Sequence, residues 1–169
     1  MSFYNSFSLP LTIARPFNTY GPRQSARAFI PTIISQIASN QPHLLLGDLS
    51  PTRDLNYVLD TCKGFIEIAN SSDSIGEVIN IGSNFEISIG DVVEIIKSQM
   101  GSEIQVSLDK NRVRPIKSEV MRLWCDNQKI QNITKFKPEY DIYTGLKETI
   151  SWFLEPNNLS KYKADIYNI

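Results

Sequence analysis

Short apolar runs alternate along the chain with longer segments whose apolar residues recur at helical spacing. The run at 11–14 is apolar and β-branched, which is typical of a buried strand, and the strand is expected to extend to Arg15. Residues 77–81 also predict a strand, and 44–46 is a run of three leucines. Residues 104–108 alternate between apolar and polar and predict an edge strand. Strands that alternate with amphipathic helices indicate the α/β class, with helices predicted at 2–8, 26–39, 60–69, 89–100, from a cap at 126–127 to 133, and 143–154.

The helical stripes predict which side chains face the core. Ser88 followed by Asp91 resembles a capping box at the start of the third long helix, and Gly101 is expected to end that helix. The side chains expected to point inward are Ile30, Ile33, Ile34, Ile37 and Ala38, then Cys62, Phe65, Ile66 and Ala69, then Ile89, Val92, Val93, Ile96 and Met100, and finally Leu146, Ile150 and Phe153.

The composition narrows the function classes. The formal net charge is −1, with 41% hydrophobic and 21% charged residues, which argues against non-specific nucleic-acid binding. No apolar run approaches the length of a membrane span and the N-terminus lacks a secretory-signal pattern, so we expect a cytoplasmic protein with no membrane partner. We expect one structural portion over 1–155 and a loosely ordered polar tail over 156–169.

Few side chains suggest metal or thiol chemistry. Cys62 and Cys125 are far apart and are predicted to be buried thiols. His43 has no carboxylate or cysteine at ligand spacing and is expected on a surface loop, and Trp124 is expected in the core. We therefore predict no metal site.

The charge around the first predicted strand is unusual. Arg15, Arg23 and Arg27 are the only charged residues before Asp48, and the strand runs into a Tyr-Gly-Pro turn. Loops at the carboxyl ends of strands are where open α/β sheets place ligands, and arginine is a bidentate donor for phosphate or carboxylate. An anion site and three snorkelling surface arginines both fit this pattern.

Four stretches resemble one family. The segment Arg15-Pro16-Phe17-Asn18-Thr19-Tyr20-Gly21-Pro22-Arg23 resembles the sixth-strand signature of extended short-chain dehydrogenase/reductases that act on nucleotide sugars. The others follow in family order: Gly47-Asp48 with Thr52-Arg53-Asp54-Leu55-Asn56-Tyr57-Val58, then Val78-Ile79-Asn80-Ile81-Gly82-Ser83, then Arg114-Pro115-Ile116-Lys117-Ser118-Glu119-Val120. The likeness spans about residues 1–155 and is greatest to NAD-dependent nucleotide-sugar 4,6-dehydratases, in particular those acting on N-acetylglucosamine nucleotides toward legionaminic-type sugars.

The resemblance implies a fold and a set of site residues. The fold would be the C-terminal part of an extended Rossmann-type epimerase/dehydratase fold, with the small substrate-binding subdomain and without the N-terminal Gly-rich half. Phe17 would make a backbone contact near the nicotinamide of NAD. The substrate side, a UDP- or GDP-linked sugar, would be bound at the diphosphate by Asn18, Arg53 and Arg114, and around the base by Ala28, Phe29, Leu44, Leu45 and Leu46. Glu119 departs from the usual family spacing and is expected to form a salt bridge with a neighbouring arginine.

Two features of a complete family enzyme are missing from the sequence. None of the eight glycines forms a Gly-rich turn between a first strand and helix, which a dinucleotide pyrophosphate requires. The family's Tyr-x-x-x-Lys pair should precede the first predicted strand, but Tyr4 is followed by Ser8 at the lysine position. Tyr143 and Lys147 fit the spacing, yet follow that strand by more than a hundred residues. We therefore assign no catalytic residue and expect the chain to lack catalysis by itself, with NAD serving only the complete family enzyme.

Three interpretations remain open at this stage. The chain is the nucleotide-sugar-binding portion of a 4,6-dehydratase, the corresponding part of a 4-epimerase, or a non-catalytic subunit that completes its site with a separate Rossmann chain. An unpaired sheet edge and uncovered apolar helix faces would also favour a homodimer or other self-association.

Overall fold

A computed structural model describes residues 2–113 and 119–163. The helices are α1 (Ser2–Phe7), α2 (Phe29–Ala38), α3 (Val58–Asn70), α4 (Ile89–Met100), α5 (Gln128–Ile133), α6 (Ile142–Leu154) and α7 (Pro156–Leu159). The strands are β1 (Ile13–Pro16), β2 (Asn18–Tyr20), β3 (Leu44–Leu46), β4 (Thr52–Tyr57), β5 (Val78–Ile81), β6 (Glu86–Ser88), β7 (Val106–Leu108) and β8 (Arg122–Leu123). The alternation of strands and helices confirms the α/β prediction.

Strand pairing brings distant parts of the sequence together. β1 pairs in parallel with β5, and β3 with β7. β4 is the most connected strand: it pairs in parallel with β2 and β8 and antiparallel with β6. The sequence pattern predicted β1, β5 and β7 as strands and noted 44–46 only as a leucine run. It did not predict the polar strand β4, whose alternate side chains face different partners.

The main core forms where α2, α4 and α6 pack against β2, β3 and β4. The isoleucine stripe of α2 is buried as predicted, and so are Leu146, Ile150 and Phe153 of α6. The Asp91 N–H donates to Ser88 Oγ at 3.0 Å, and Gly101 ends α4 with φ of 61°, so both predicted ends of α4 are confirmed.

The predicted inward face of α3 is wrong. Phe65, Ile66, Ala69 and Cys62 are exposed, and the buried side of α3 carries Thr61, Gly64 and Ile68 instead. Gly64 explains the difference, because a Cβ there would lie 2.5 Å from Ile81 Cγ2. The absence of a side chain lets the helix approach β5 on its less apolar face.

The predicted burial or exposure of three other side chains is confirmed for two of them and wrong for the third. Cys125 is buried and His43 is exposed, as predicted. Trp124 was expected in the core but is 46% exposed, and the Arg122 guanidinium lies 5.4 Å above its ring. This cation–π contact stabilises a surface tryptophan without burying it.

The beginning of the C-terminal tail is ordered against the core, so the expectation of a loose tail is wrong up to residue 163. Pro156 opens the short helix α7, and the Tyr162 ring packs edge-on against Phe153 at 4.6 Å between centroids. Its hydroxyl donates to the Gln24 carbonyl oxygen at 2.8 Å. The tail therefore holds the loop between β2 and α2 against α6.

Gly145 in α6 yields a prediction opposite to helix propensity. Propensity alone favours Gly145→Ala by about 1 kcal/mol. A Cβ at this position would overlap the hydroxyl of Tyr20, whose ring is buried in the core. We expect Gly145→Ala to destabilise the chain by about 1–3 kcal/mol, as overpacking does, in urea unfolding. Lys147→Ala, at an exposed site on the same helix, is the control; a more stable Gly145→Ala variant would contradict the packing.

No helix within the described ranges is both long and apolar enough to cross a bilayer.

Candidate functional site

The pairing of β2 with β4 brings two of the predicted site residues to one face of the sheet. Asn18 lies opposite Leu55, and Arg53 precedes Leu55 by two residues on the same strand. Side chains two residues apart point to the same face, roughly 7 Å along the strand. Asn18 and Arg53 thus share a face, although 35 positions separate them in sequence.

Asn18 has an unsatisfied donor. Its Nδ2 is buried and has no hydrogen-bond partner in the described part of the chain. A buried amide N–H₂ without an acceptor is costly, so such a group is a reason to look for a ligand or an ordered water. Phe17, just before it, donates its N–H to the Ile81 carbonyl at 2.9 Å and continues the β1–β5 ladder.

Arg53 is nearly buried and already paired. Its Nη1 donates to the Thr52 carbonyl and its Nη2 to Glu119 Oε1, both at 2.8 Å. The two side chains are 13% and 15% exposed. The predicted salt bridge of Glu119 with a neighbouring arginine is confirmed, and Arg53 is that arginine.

The other face of β4 carries a separate ion pair. Thr52 Oγ1 donates to Glu86 Oε1 at 2.6 Å, and Arg122 donates Nε and Nη2 to the two Glu86 oxygens at 2.8 Å each. These hydrogen bonds, first that from Arg122 and then that from Thr52, lower the pKa of Glu86 to about 2. Arg122 therefore binds Glu86 on this face of β4 and not a group on the face that carries Arg53.

The lowered pKa of Glu86 predicts a pH dependence. Its stabilising contribution should be fully present above its ordinary pKa of 4.5 and be lost as pH falls toward about 2. Glu86→Gln should be less stable than the wild type at neutral pH, and the difference should shrink as the pH falls below 4.5 toward about 2. Thermal unfolding from pH 7 to 2 measures this; a stability difference that does not shrink on acidification would contradict it.

Asp54, next to Arg53 on β4, accepts hydrogen bonds from the loops that follow β5 and β8. Its carboxylate is fully buried and accepts hydrogen bonds from Ser83 N and Ser83 Oγ at 2.9 Å and from Cys125 N at 3.3 Å. Burial raises the pKa of Asp54, while these hydrogen bonds oppose the rise. Burial, and next the Asp54 charge, raise the pKa of the Cys125 thiol to about 12. Asp54 is thus a structural residue, which sequence reasoning named without assigning it a role.

The residues expected around the nucleotide base fall into two groups. Ala28 is the N-cap of α2 and has no side-chain cap, and Phe29 is the first residue of that helix. Leu44 and Leu46 are buried in the main core, while the Leu45 side chain is exposed. Gln36 of α2 holds the Leu45 backbone, accepting from its N–H at 2.8 Å and donating to its carbonyl at 3.2 Å. Sequence reasoning did not single out Gln36. A glutamine within the isoleucine stripe of α2 signals that its side chain needs a buried partner, but it does not identify Leu45 as that partner.

Arg114 lies outside the described residues, so its position is not tested. The segment that leads to it is close to the β3 end, since Asp109 N donates to the Leu46 carbonyl at 2.8 Å. Arg112 Nε donates to Asp109 Oδ2 at 3.1 Å. The polypeptide before Arg114 thus runs beside Leu46 and Gly47, which the sequence alone did not indicate.

Among the described helices, α3 and α4 are not suited to bind the pyrophosphate of NAD at their N-termini. The two helices that directly follow a strand, α3 and α4, each carry an acidic residue in the first turn, Asp60 and Asp91. An anion at a helix N-terminus is favoured by free N–H groups and opposed by a carboxylate there. Asp60 also accepts hydrogen bonds from Glu139 N and Tyr140 N at 3.0 Å each, so it is part of the fold.

Tyr143 and Lys147 lie on the surface of α6. Both side chains are exposed, and the Tyr143 carbonyl accepts a hydrogen bond from Gln99. In the described ranges, no cluster of three or more His, Cys, Asp and Glu side chains has metal-binding geometry.

The chain is similar to known enzymes that act on nucleotide sugars. Residues 1–149 match the model of the family described as GDP-mannose 4,6-dehydratase. The human dTDP-D-glucose 4,6-dehydratase is 30% identical over 159 residues, which are 91% of this chain and 44% of that protein. The curated relatives include 4-epimerases as well as 4,6-dehydratases, and the chain spans about half of their length.

Solved structures of 4-epimerases and 4,6-dehydratases also match the chain over about half of their own length. The Bacillus cereus UDP-glucuronic acid 4-epimerase in complex with UDP-glucuronic acid and NAD superposes with a TM-score of 0.80 at 27% identity, covering 89% of this chain and 47% of that one. The Bacillus anthracis dTDP-glucose 4,6-dehydratase in complex with NAD gives a TM-score of 0.80 at 28% identity, covering 92% and 48%. The fold corresponds to the C-terminal part of such NAD-dependent enzymes.

Proposed function

Because this chain belongs to the GDP-mannose 4,6-dehydratase family, we propose that it forms the nucleotide-sugar-binding portion of an NAD-dependent nucleotide-sugar 4,6-dehydratase. In this proposal the ligand is a UDP- or GDP-linked sugar, and an N-acetylglucosamine nucleotide is the preferred candidate. The chain binds and orients the substrate but does not catalyse its dehydration by itself.

One observation carries the proposal: Asn18 and Arg53 share a sheet face, and the buried Asn18 Nδ2 has no hydrogen-bond partner in the ranges 2–113 and 119–163. A diphosphate offers acceptor oxygens to both an amide N–H and a guanidinium. Arginine is suited to this role because its planar group can bind two phosphate oxygens at once. Arg114 is proposed as the second arginine at the same diphosphate.

The rest of the predicted site surrounds the nucleotide in this proposal. Ala28 and Phe29 would contact the base at the start of α2. The first turn of this helix contains no acidic residue. The leucine strand β3 would form a wall of the base pocket, with Leu44 and Leu46 anchoring it in the core. Phe17 would keep its backbone contact near the nicotinamide. No residue of this chain is assigned to proton or hydride transfer.

A second candidate function is that of a subunit that completes its site with a separate Rossmann chain. The surface of β1 favours it: within the described ranges β1 pairs only with β5, and Leu11 and Ile13 are each 37% exposed. Parallel strands are normally covered on both faces. A cleft of about 600 Å³ between β1 and α3, lined in part by Thr12, Ala14 and Phe65, continues this uncovered surface.

The uncovered surface also predicts self-association of the isolated chain. Light scattering at increasing concentration should show dimers or larger species. The open edge of β1 can pair with a strand of another copy, and the exposed Ile66 on α3 adds apolar surface that association can bury. Ile66→Glu should reduce the association, whereas Glu67→Gln, at the adjacent position, should not. A wild-type chain that stays monomeric at high concentration would contradict the prediction.

Calorimetric titration tests the primary proposal. The purified chain is titrated with UDP-N-acetylglucosamine and with GDP-mannose, each with and without NAD. We expect one nucleotide sugar to bind and NAD to leave its affinity unchanged. Failure of both sugars to bind, or binding of NAD alone, would reject the primary proposal; restored binding after mixing with a Rossmann chain would favour the second.

A further inference from the structure

The Arg53–Glu119 ion pair occupies the guanidinium that the proposed function assigns to a diphosphate. Glu119 Oε1 lies 2.8 Å from Arg53 Nη2, and both side chains are more than four-fifths buried. At such a site little water screens a carboxylate from a second anion. Glu119 and an incoming phosphate therefore compete for Arg53.

The main chain delivers Glu119 to this position. Thr52 N donates to the Met121 carbonyl at 2.8 Å, and β8 then pairs with β4 at Arg122 and Leu123. Glu119 is two residues from the first of these anchors, so its carboxylate is held beside Arg53 by backbone pairing. A surface side chain that meets an arginine by chance would lack such an anchor.

Arg122, which lies opposite Thr52 beside β4, does not relieve the competition. Arg122 is bound through two hydrogen bonds to Glu86 on the opposite face of β4. On the Arg53 face, Asn18 Nδ2 has no partner among the described residues, and Glu119 engages Nη2 of the guanidinium but not the amide. The unliganded face thus has one donor occupied by an internal anion and one left unsatisfied.

We propose that Glu119 is a built-in competitor that holds Arg53 in the unliganded chain and is exchanged for a diphosphate oxygen when the nucleotide binds. The inference rests on the proposed function, since it concerns the same site. The exchange breaks and forms only hydrogen bonds and ion pairs. It makes affinity depend on a carboxylate that is not itself a ligand contact.

The test compares UDP and GDP binding by calorimetry in the wild type and Glu119→Gln. Glutamine keeps the size of the side chain and a carbonyl acceptor for Arg53 but removes the charge. We expect Glu119→Gln to bind the diphosphate about tenfold more tightly, with a steeper loss of affinity on adding NaCl. Glu86→Gln, which removes a carboxylate from the arginine pair on the opposite face, is the matched control and should leave affinity unchanged.

The outcomes separate this inference from the proposed function. Equal or weaker binding by Glu119→Gln, with weaker binding by Arg53→Ala, would overturn the competitor and leave the binding site standing. Unchanged affinity in Arg53→Ala, or no binding by the wild type and Glu119→Gln alike, would overturn both. Binding by Glu119→Gln but not by the wild type would support the competitor.

A measurement on the wild type guards against a variant that fails to fold. The side-chain carboxyl ¹³C resonance of Glu119 should shift when the chain is saturated with the diphosphate that binds, because the carboxylate leaves Arg53. An unchanged resonance at saturation would overturn the exchange.

Discussion

Asp54→Ala should lower the free energy of unfolding by about 3–4 kcal/mol. The Asp54 carboxylate is fully buried and accepts three hydrogen bonds, two from Ser83 and one from Cys125 N. Removing it leaves buried donors without an acceptor, and each such donor has a desolvation cost that water cannot repay. Urea unfolding followed by circular dichroism measures the difference.

Asp48→Ala is the matched control for this prediction. Asp48 also accepts hydrogen bonds from a serine two residues later, Ser50 N at 2.9 Å and Ser50 Oγ at 2.8 Å, but on the exposed surface. Water can replace the carboxylate there, so we expect little change in stability. If Asp48→Ala and Asp54→Ala had equal effects, burial would not be the reason for the importance of Asp54.

Arg53→Ala should weaken binding of a nucleotide diphosphate by about 2–3 kcal/mol, and so should Arg114→Ala. This loss corresponds to roughly 30- to 150-fold in Kd. Charge-assisted hydrogen bonds to phosphate are lost in both variants, and in Arg53→Ala the unpaired Glu119 also faces the ligand. Titration with the nucleotide sugar that binds the wild type measures both effects.

Arg122→Ala provides the control, because this arginine lies beside the same strand and is paired with Glu86 on the other face. Its removal should leave the affinity unchanged. If Arg53→Ala and Arg114→Ala both bound as tightly as the wild type, the diphosphate assignment would be withdrawn.

The sequence predicted well those elements in which one physical signal dominates. The isoleucines of α2 repeat at helical spacing, and Ser88 and Gly101 supply the expected chemistry of the α4 ends. The strands β1 and β5 were predicted from their β-branched residues, but the expectation that the first strand is buried is wrong, since Leu11 and Ile13 are each 37% exposed.

The failures arise where close packing overrides apolarity. The buried face of α3 includes Gly64 because β5 approaches so closely there, and a hydrophobic pattern gives a glycine no weight. Similarly, β4 has the sequence Thr-Arg-Asp-Leu-Asn-Tyr, whose polar residues are satisfied only by partners distant in sequence. Such partners are invisible to local pattern reasoning.

The sequence motifs proposed residues for the candidate site but gave no information about which of them lie together. The family-like motifs named Asn18 and Arg53, and only the β2–β4 register places them on one face. The arginine partner of Glu119 and the bracket that Gln36 forms around Leu45 are likewise tertiary contacts. Motif spacing contains no information about them.

The most direct measurement is an NMR titration of the ¹⁵N-labelled chain with UDP-N-acetylglucosamine and GDP-mannose. We expect saturable shifts at the Asn18 side-chain amide and at Arg53 Nε for the nucleotide sugar that binds, with the exposed face of α3 around Phe65 unaffected. Saturable binding with no change at Asn18 and Arg53 would contradict the central claim that this face holds the nucleotide diphosphate.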